Sequence, residues 1–76
     1  MKEIITAQEA ARILLINGQA VREHIKRGIP PFNKVGYVIS NKGRKNQYLV
    51  YTRKLLDDFG IDIDTAEARL KKGKHE

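Results

Sequence analysis

Polar side chains recur at helical spacing in the middle of this chain, and their types match the chemistry of base edges in duplex DNA. They lie opposite the apolar pair Val21 and Ile25. An arginine can donate two parallel hydrogen bonds to guanine, a glutamine can pair with adenine, and a glutamate can accept from cytosine. The candidate base-reading residues are Gln19, Arg22, Glu23 and Lys26, with Asn17 at the start of the segment.

Two of the cations in this segment suit the DNA backbone better than the bases. We expect Lys26 and Arg27 to hold phosphates, which position a protein on DNA without reading its sequence. Glu23 has a second possible role, which is to orient Arg22 or Lys26. For each of these side chains the alternative is a solvated helix face that touches no ligand.

Two short helices are predicted to carry these residues. Thr6 and Glu9 form a capping box for the first helix, whose apolar face is expected to contain Ala7, Ala10, Ala11 and Leu14. This helix should end near Leu15. Asn17 then caps a second helix over Gly18 to Arg27, and Gly28 is its C-cap candidate. Pro30 and Pro31 forbid continuation, so 29–33 is predicted to be an extended connector.

A hairpin and a third helix are predicted to follow. Residues 35–40 and 47–51 are rich in β-branched and aromatic side chains, and Tyr37, Tyr48 and Tyr51 are interpreted as strand and core residues. The connecting loop carries Lys42, Arg44 and Lys45 around Gly43. Such a cationic tip can lie along the DNA backbone or in a minor groove, although a merely solvated loop has the same composition.

Thr52 is predicted to cap the third helix, which runs from Arg53 to Phe59 and ends at Gly60. Arg53 and Lys54 lie at the positive end of its dipole, which is unfavourable. One explanation is a phosphate seat at this corner, and chance placement is the other. Before the first helix, Met1 to Ile5 is a lead-in from which Ile4 or Ile5 packs underneath.

The run from Glu9 to Gly28, E-A-A-x-x-L-x-I-N-x-x-A-V-R-x-x-I-x-x-G, resembles the helix-turn-helix of small winged-helix excisionases and the related MerR-type DNA-binding domains of phages and mobile elements. The resemblance covers roughly residues 4 to 60. It implies an α+β winged helix-turn-helix, in which the second helix enters the major groove and the hairpin is the wing. Many relatives carry Gly where this chain has Leu15. If Leu15 takes a positive φ, the conformation costs about 1 kcal/mol, and a turn wider than usual is the other expectation.

The charge distribution favours a phosphate-binding face. Residues 18–54 contain nine Lys or Arg against a single acid, Glu23, whereas the rest of the chain contains six basic and eight acidic residues. The net charge of +6 is therefore concentrated on the second helix, the hairpin and the start of the third helix. A merely soluble basic surface does not require acids to be excluded from half the chain.

Length and composition limit the remaining possibilities. Seventy-six residues without cysteine allow one domain with a small core. We assign 1–61 to this DNA-binding domain and 62–76 to a partly helical or disordered tail. The start signal of the tail is Asp64 and Glu67. There is no apolar run of membrane-spanning length and no signal-peptide stretch, so we expect a cytoplasmic protein.

We expect no enzyme, cofactor, metal or small-molecule ligand. His24, on the helix surface, and His75 are isolated, and the three tyrosines lack the Arg and His residues that surround the nucleophile of a tyrosine recombinase. Three functions remain: an excisionase-type protein that bends DNA and directs a recombinase, a small phage or prophage transcription regulator, and a winged-helix adaptor or phage assembly protein. The expected partners are double-stranded DNA and either a recombinase or integrase or a second protomer on adjacent sites.

Overall fold

Short strands and short helices alternate along the chain in the computed structural model, which describes residues 1–40 and 42–73. This part is a small α+β domain with five helices and one three-stranded antiparallel sheet. The elements are β1 (Ile4–Thr6), α1 (Ala7–Leu14), α2 (Gly18–Arg27), α3 (Phe32–Val35), β2 (Gly36–Ile39), β3 (Gln47–Tyr51), α4 (Thr52–Phe59) and α5 (Ile63–Gly73).

The sheet has one strand more than the sequence predicted. The strand order is β1-β3-β2, and Val50 of β3 lies opposite Ile5 on one side and Gly36 on the other. The lead-in therefore contains a strand, and the expected two-stranded hairpin is part of a three-stranded sheet. Ile5 is buried and Ile4 is exposed, which resolves which of the two packs inward. A three-residue strand has too weak a local pattern to be found without its distant partner.

The two helices that follow β1 have the predicted bounds, but Ile13 of α1, which the sequence analysis did not place on the apolar face, is fully buried, while Leu14 is partly buried. Thr6 and Glu9 form the expected capping box at α1, whose alanines are buried. Leu15, just after the helix, has φ of 60°, so the left-handed conformation anticipated there is present. Helix α2 spans the predicted residues; Asn17 Oδ1 accepts from the Gln19 N–H at 2.7 Å, and Gly28 is the left-handed C-cap.

The connector after α2 is not extended throughout, because Phe32 to Val35 forms a short helix. Val35, predicted to open the hairpin, belongs to this helix instead. Phe32 and Val35 are both buried, and their i, i+3 spacing places both on the core side of one helical turn. The prediction failed because burial against α2 and α4, not the local sequence, favours the turn.

The prediction that Thr52 caps α4 is wrong. Thr52 is the first residue of the helix, and Tyr51 is the N-cap, without a side-chain hydrogen bond. The Thr52 hydroxyl donates to the Lys2 carbonyl oxygen at 2.6 Å, and the Thr52 N–H donates to the Glu3 carbonyl oxygen at 2.9 Å. Thr52 is 5% exposed. It therefore ties the start of α4 to the start of the chain.

Residues 63–73 form a full helix, longer than the one or two turns expected for the tail. Its start is marked by Asp62, not Asp64, since the Asp62 carboxylate accepts from the Thr65 N–H at 2.7 Å. Ala66 is buried in the core, which α5 completes by packing on α1. Residues 62–73 thus share the core of the preceding domain, and residues 74–76 of the predicted tail lie outside the described residues.

The core contains aliphatic side chains from every element around the sheet. Ile5 and Val50 project from the sheet, Ile13 from α1, Val21 from α2 and Leu55 from α4. Tyr51, interpreted as a strand or core residue, lies in β3 but is exposed, because alternate residues of a strand face opposite sides of a sheet. The result is a small packed centre around which α2 and the hairpin are held.

Candidate nucleic-acid interface

Helix α2 buries one face and presents the other. Val21 and Ile25 lie in the core, as the sequence predicted, whereas Gln19, Lys26 and Arg27 are exposed. The Oδ1 atom of Asn17 is occupied by its capping hydrogen bond, so its amide NH₂ remains for other contacts. Gln19 and Lys26 therefore present polar groups from one exposed face.

Arg22 differs from these neighbours because it is half-buried in a cleft. Its side chain lines an open cavity of about 230 Å³ together with the first turn of α1 and the beginning of β3. The other lining residues are Thr6, Ala7, Gln8, Asn46, Gln47, Tyr48 and Leu49. This lining has one cation and several amide or hydroxyl groups but no carboxylate, so it is a chemically suitable surface for an anion.

Glu23 pairs with Arg27, and not with Arg22 or Lys26 as the sequence alternative supposed. The Arg27 Nε atom lies 3.4 Å from Glu23 Oε2, at i, i+4 spacing on α2. The Arg27 side chain is largely exposed and the Glu23 side chain about half exposed, so the pair contributes less than about 1 kcal/mol. Breaking this ion pair therefore costs little free energy, so Arg27 remains able to bind a phosphate.

The base of the hairpin loop lies beside Arg22. Lys42, Arg44 and Lys45 are exposed, and Gly43 has φ of 77° in the turn between them. At the base of this loop, Asn46 and Gln47 share the wall of the cavity that Arg22 lines. The base of the loop therefore lies next to α2.

Arg53 and Lys54 do not join this group. Strand β3 leads from Gln47, at the cavity, to Tyr51, and four residue steps correspond to about 13 Å. Both cations are exposed on α4, and Lys54 Nζ lies 4.8 Å from the centre of the Tyr51 ring. The Thr52 N–H already donates to the Glu3 carbonyl oxygen and its hydroxyl to the Lys2 carbonyl oxygen, so a phosphate seat at this corner has lost those two donors.

The sequence analysis placed His24 on the helix surface, but in the structure its ring packs against neighbouring groups. Its Nδ1 atom hydrogen-bonds the Ala20 carbonyl oxygen, and its ring lies 5.0 Å from the Phe32 ring. Phe32 in turn lies 5.5 Å from Phe59 on α4. Within residues 1–40 and 42–73, no three His, Cys, Asp or Glu side chains converge as metal ligands would.

Gln8 is the residue of this region that the sequence analysis missed. It lies in the first turn of α1, and its amide packs over the buried Gly18, where an added Cβ would meet Gln8 Oε1 at 2.2 Å. It lines the same cavity as Arg22. The available signal was its position two residues after the Thr6 cap, which places it at a helix N-terminus.

No family model, curated protein or solved structure matches the chain. None of the helices in the described ranges is both long enough and apolar enough to cross a bilayer. The geometry of α2, the cavity and the hairpin loop is therefore what supports a functional interpretation.

Proposed function

We propose that this chain is a winged helix-turn-helix DNA-binding protein in which α1 and α2 form the helix-turn-helix and the hairpin between β2 and β3 is the wing. The observation that carries this proposal is the carboxylate-free cavity at which Arg22, the first turn of α1 and the base of the hairpin meet. A duplex lying across that junction contacts α2 and the loop cations together.

Each element then has a separate task on the duplex. Helix α2 enters the major groove with the exposed Gln19 toward the base edges and the exposed Lys26 toward a phosphate at the groove edge. Arg22, half-buried between α2 and the hairpin, holds the phosphate backbone at the groove edge. Lys42 and Arg44 follow the backbone into the next minor groove, where negative potential is strong.

The finer proposal is an excisionase-type role, in which binding bends DNA and directs site-specific recombination. It rests on the resemblance of residues 9–28 to excisionase and MerR-type helix-turn-helix motifs. DNA bending supports this role, whereas tight binding to straight DNA indicates a small transcription regulator. The protein has no catalytic part in either case.

The test is a binding titration with duplex DNA over a range of salt concentrations. With about five to seven phosphates engaged, the slope of log K against log salt is expected to be about −4.5 to −6. Arg22→Gln and Lys26→Gln should each weaken binding and make this slope shallower by about 1. The matched control is Lys71→Gln, which removes one exposed charge from the end of α5.

Two results contradict the proposal. One is a wild-type slope near zero, which means that few phosphates are engaged. The other is equal binding by Arg22→Gln, Lys26→Gln and Lys71→Gln, which means that α2 is not the contact surface. A permuted-site gel shift with the same protein then measures the bend.

A further inference from the structure

A second cavity adjoins the cavity that Arg22 lines, because Gln8 belongs to the lining of both. Its volume is about 390 Å³, and it lies between α1, the turn after α1 and the last part of α5. We name it the turn cavity. The lining of each cavity contains cationic and uncharged side chains but no carboxylate, so the two together form one surface suited to anions.

Three cations line the turn cavity, namely Arg12, Arg69 and Lys72. Arg69 is already engaged, since its Nη1 atom donates to the Ile13 carbonyl oxygen and its charge acts on the Asp62 carboxylate. Within residues 1–40 and 42–73, Arg12 and Lys72 take part in no ion pair. Like charges around one cavity repel each other, so an anion between them is favoured.

The turn contributes an apolar part of the same lining. Leu15 is 69% exposed and Ile16 is 43% exposed, and both border the cavity that contains the cations. An occupant that fits must therefore place anionic groups beside uncharged C–H surface. The backbone of DNA has this composition, because each phosphate is flanked by deoxyribose, and proteins contact both parts when they bind a duplex.

Gln8 connects the turn cavity to the recognition helix α2. A Cβ added to Gly18, the first residue of α2, would lie 3.5 Å from Arg22 Nη1 and closer still to Gln8 Oε1. Arg12 follows Gln8 by one turn of α1, which corresponds to about 6 Å along the helix axis. A DNA strand that passes Arg22 and Gln8 therefore reaches the turn cavity without leaving this surface.

We propose that the turn cavity receives the sugar–phosphate backbone of the bound duplex, next to the stretch that Arg22 holds. Arg12 and Lys72 donate to adjacent phosphates, while Leu15 and Ile16 pack against the deoxyribose between them. Helix α5 then belongs to the DNA interface, although the sequence analysis gave it no such role. This inference rests on the proposed function and adds contacts that position the protein without reading bases.

The first experiment is the duplex titration over a range of salt concentrations with the double variant Arg12→Gln, Lys72→Gln. Loss of two phosphate contacts should make the slope of log K against log salt shallower by about 2, and should weaken binding about tenfold or more at about 100 mM salt. Duplexes of different sequence should be affected equally. Arg69 is left in place because it also bonds Ile13.

The matched control is Lys2→Gln with Lys71→Gln, which removes the same charge. Both lysines line a neighbouring cavity with Glu9 and Glu67, whose carboxylates make it unsuitable for an anion. The control should weaken binding less than about threefold at about 100 mM salt, where the Debye length is about 10 Å. Thermal melts verify folding. Lys72→Gln alone, at an exposed position, should give about half of the slope change and is the variant to use if the double variant unfolds.

A chemical cleavage experiment locates the DNA directly, because the chain contains no cysteine and a single one can be labelled. Lys72→Cys that carries a tethered iron–EDTA group should cut the duplex beside the site that α2 occupies. Lys54→Cys, on α4 at the far end of β3 from Gln47, is the control and should cut at background level.

Two results overturn the inference: a cavity variant that binds as its control does, and background cutting from Lys72→Cys. If Arg22→Gln weakens binding in the same series, the proposed function stands and only the contribution of α5 is wrong. A wild-type protein whose duplex binding does not depend on salt refutes both proposals.

Discussion

The Arg69 guanidinium on α5 donates a hydrogen bond of 2.6 Å to the carbonyl oxygen of Ile13 near the end of α1. Carbonyl groups in the last turn of a helix have no partner within the helix, so this contact satisfies one of them. It also places a positive charge at the negative end of the α1 dipole. The contact fixes the final helix against the first and so stabilises the turn that leads into α2.

Arg69→Met should destabilise the fold, because methionine retains the aliphatic length but cannot donate to Ile13. We expect a loss of about 1 to 3 kcal/mol, as for other hydrogen bonds to a charged group. Urea unfolding measures it. Lys71→Met on the same helix is the control and should remain within about 0.5 kcal/mol of wild type; equal losses in both variants refute the role given to Arg69.

Thr52→Val removes the hydroxyl that bonds the Lys2 carbonyl oxygen and keeps the side-chain volume. We expect a loss of about 1 kcal/mol in unfolding free energy, because the partly buried hydrogen bond to the Lys2 carbonyl oxygen is removed. Thr52→Ser retains the hydroxyl and should recover most of the stability that is lost through this bond. If Val and Ser behave alike, the hydrogen bond is not what anchors β1 to α4.

Leu15→Gly should stabilise the monomer, because glycine adopts φ near 60° without the Cβ clash that leucine has there. The expected gain is about 1 kcal/mol in a thermal melt at low protein concentration. Leu15→Ala provides the control, since it truncates the side chain but keeps the clash, and should bring no gain. If Leu15→Ala stabilises the protein as much as Leu15→Gly does, the gain comes from removing the exposed side chain and not from relieving the backbone.

Asp62 makes the stability of α5 dependent on pH. Hydrogen bonds from Thr65, with a smaller contribution from the charge of Arg69, hold the pKa of the Asp62 carboxyl below its ordinary value. Because the pKa is lower in the folded state, this stabilisation is present above the unfolded pKa of about 4 and is lost as pH falls through the folded value.

Asp62→Asn keeps an acceptor for the Thr65 N–H but cannot titrate, so its thermal midpoint should fall less than that of wild type between about pH 5 and pH 2. Asp64→Asn is the control on the same turn and should fall as wild type does. If the thermal midpoint of Asp62→Asn falls between about pH 5 and pH 2 as much as that of wild type, the Thr65 contacts do not couple the ionisation of Asp62 to folding.

Caps and glycines made α1 and α2 predictable, because their hydrogen bonds join residues no more than five positions apart. Thr6 with Glu9, Asn17 with Gln19, and Gly28 all have the predicted roles. Thr52 shows the limit of the same reasoning: its residue type favours a cap, but its hydroxyl bonds Lys2 from the other end of the chain. The local sequence around Thr52 cannot show whether its hydroxyl bonds a neighbouring residue or one distant in the chain.

The candidate site divides in the same way. Residue types and helical spacing alone put Gln19 and Lys26 on the exposed face of α2, away from Val21 and Ile25. Pairing of β3 with both β1 and β2 decided that Arg22 faces the base of the hairpin and that Arg53 lies at the far end of the strand. Those placements depend on contacts between residues distant in sequence, which form only when apolar burial brings the elements together.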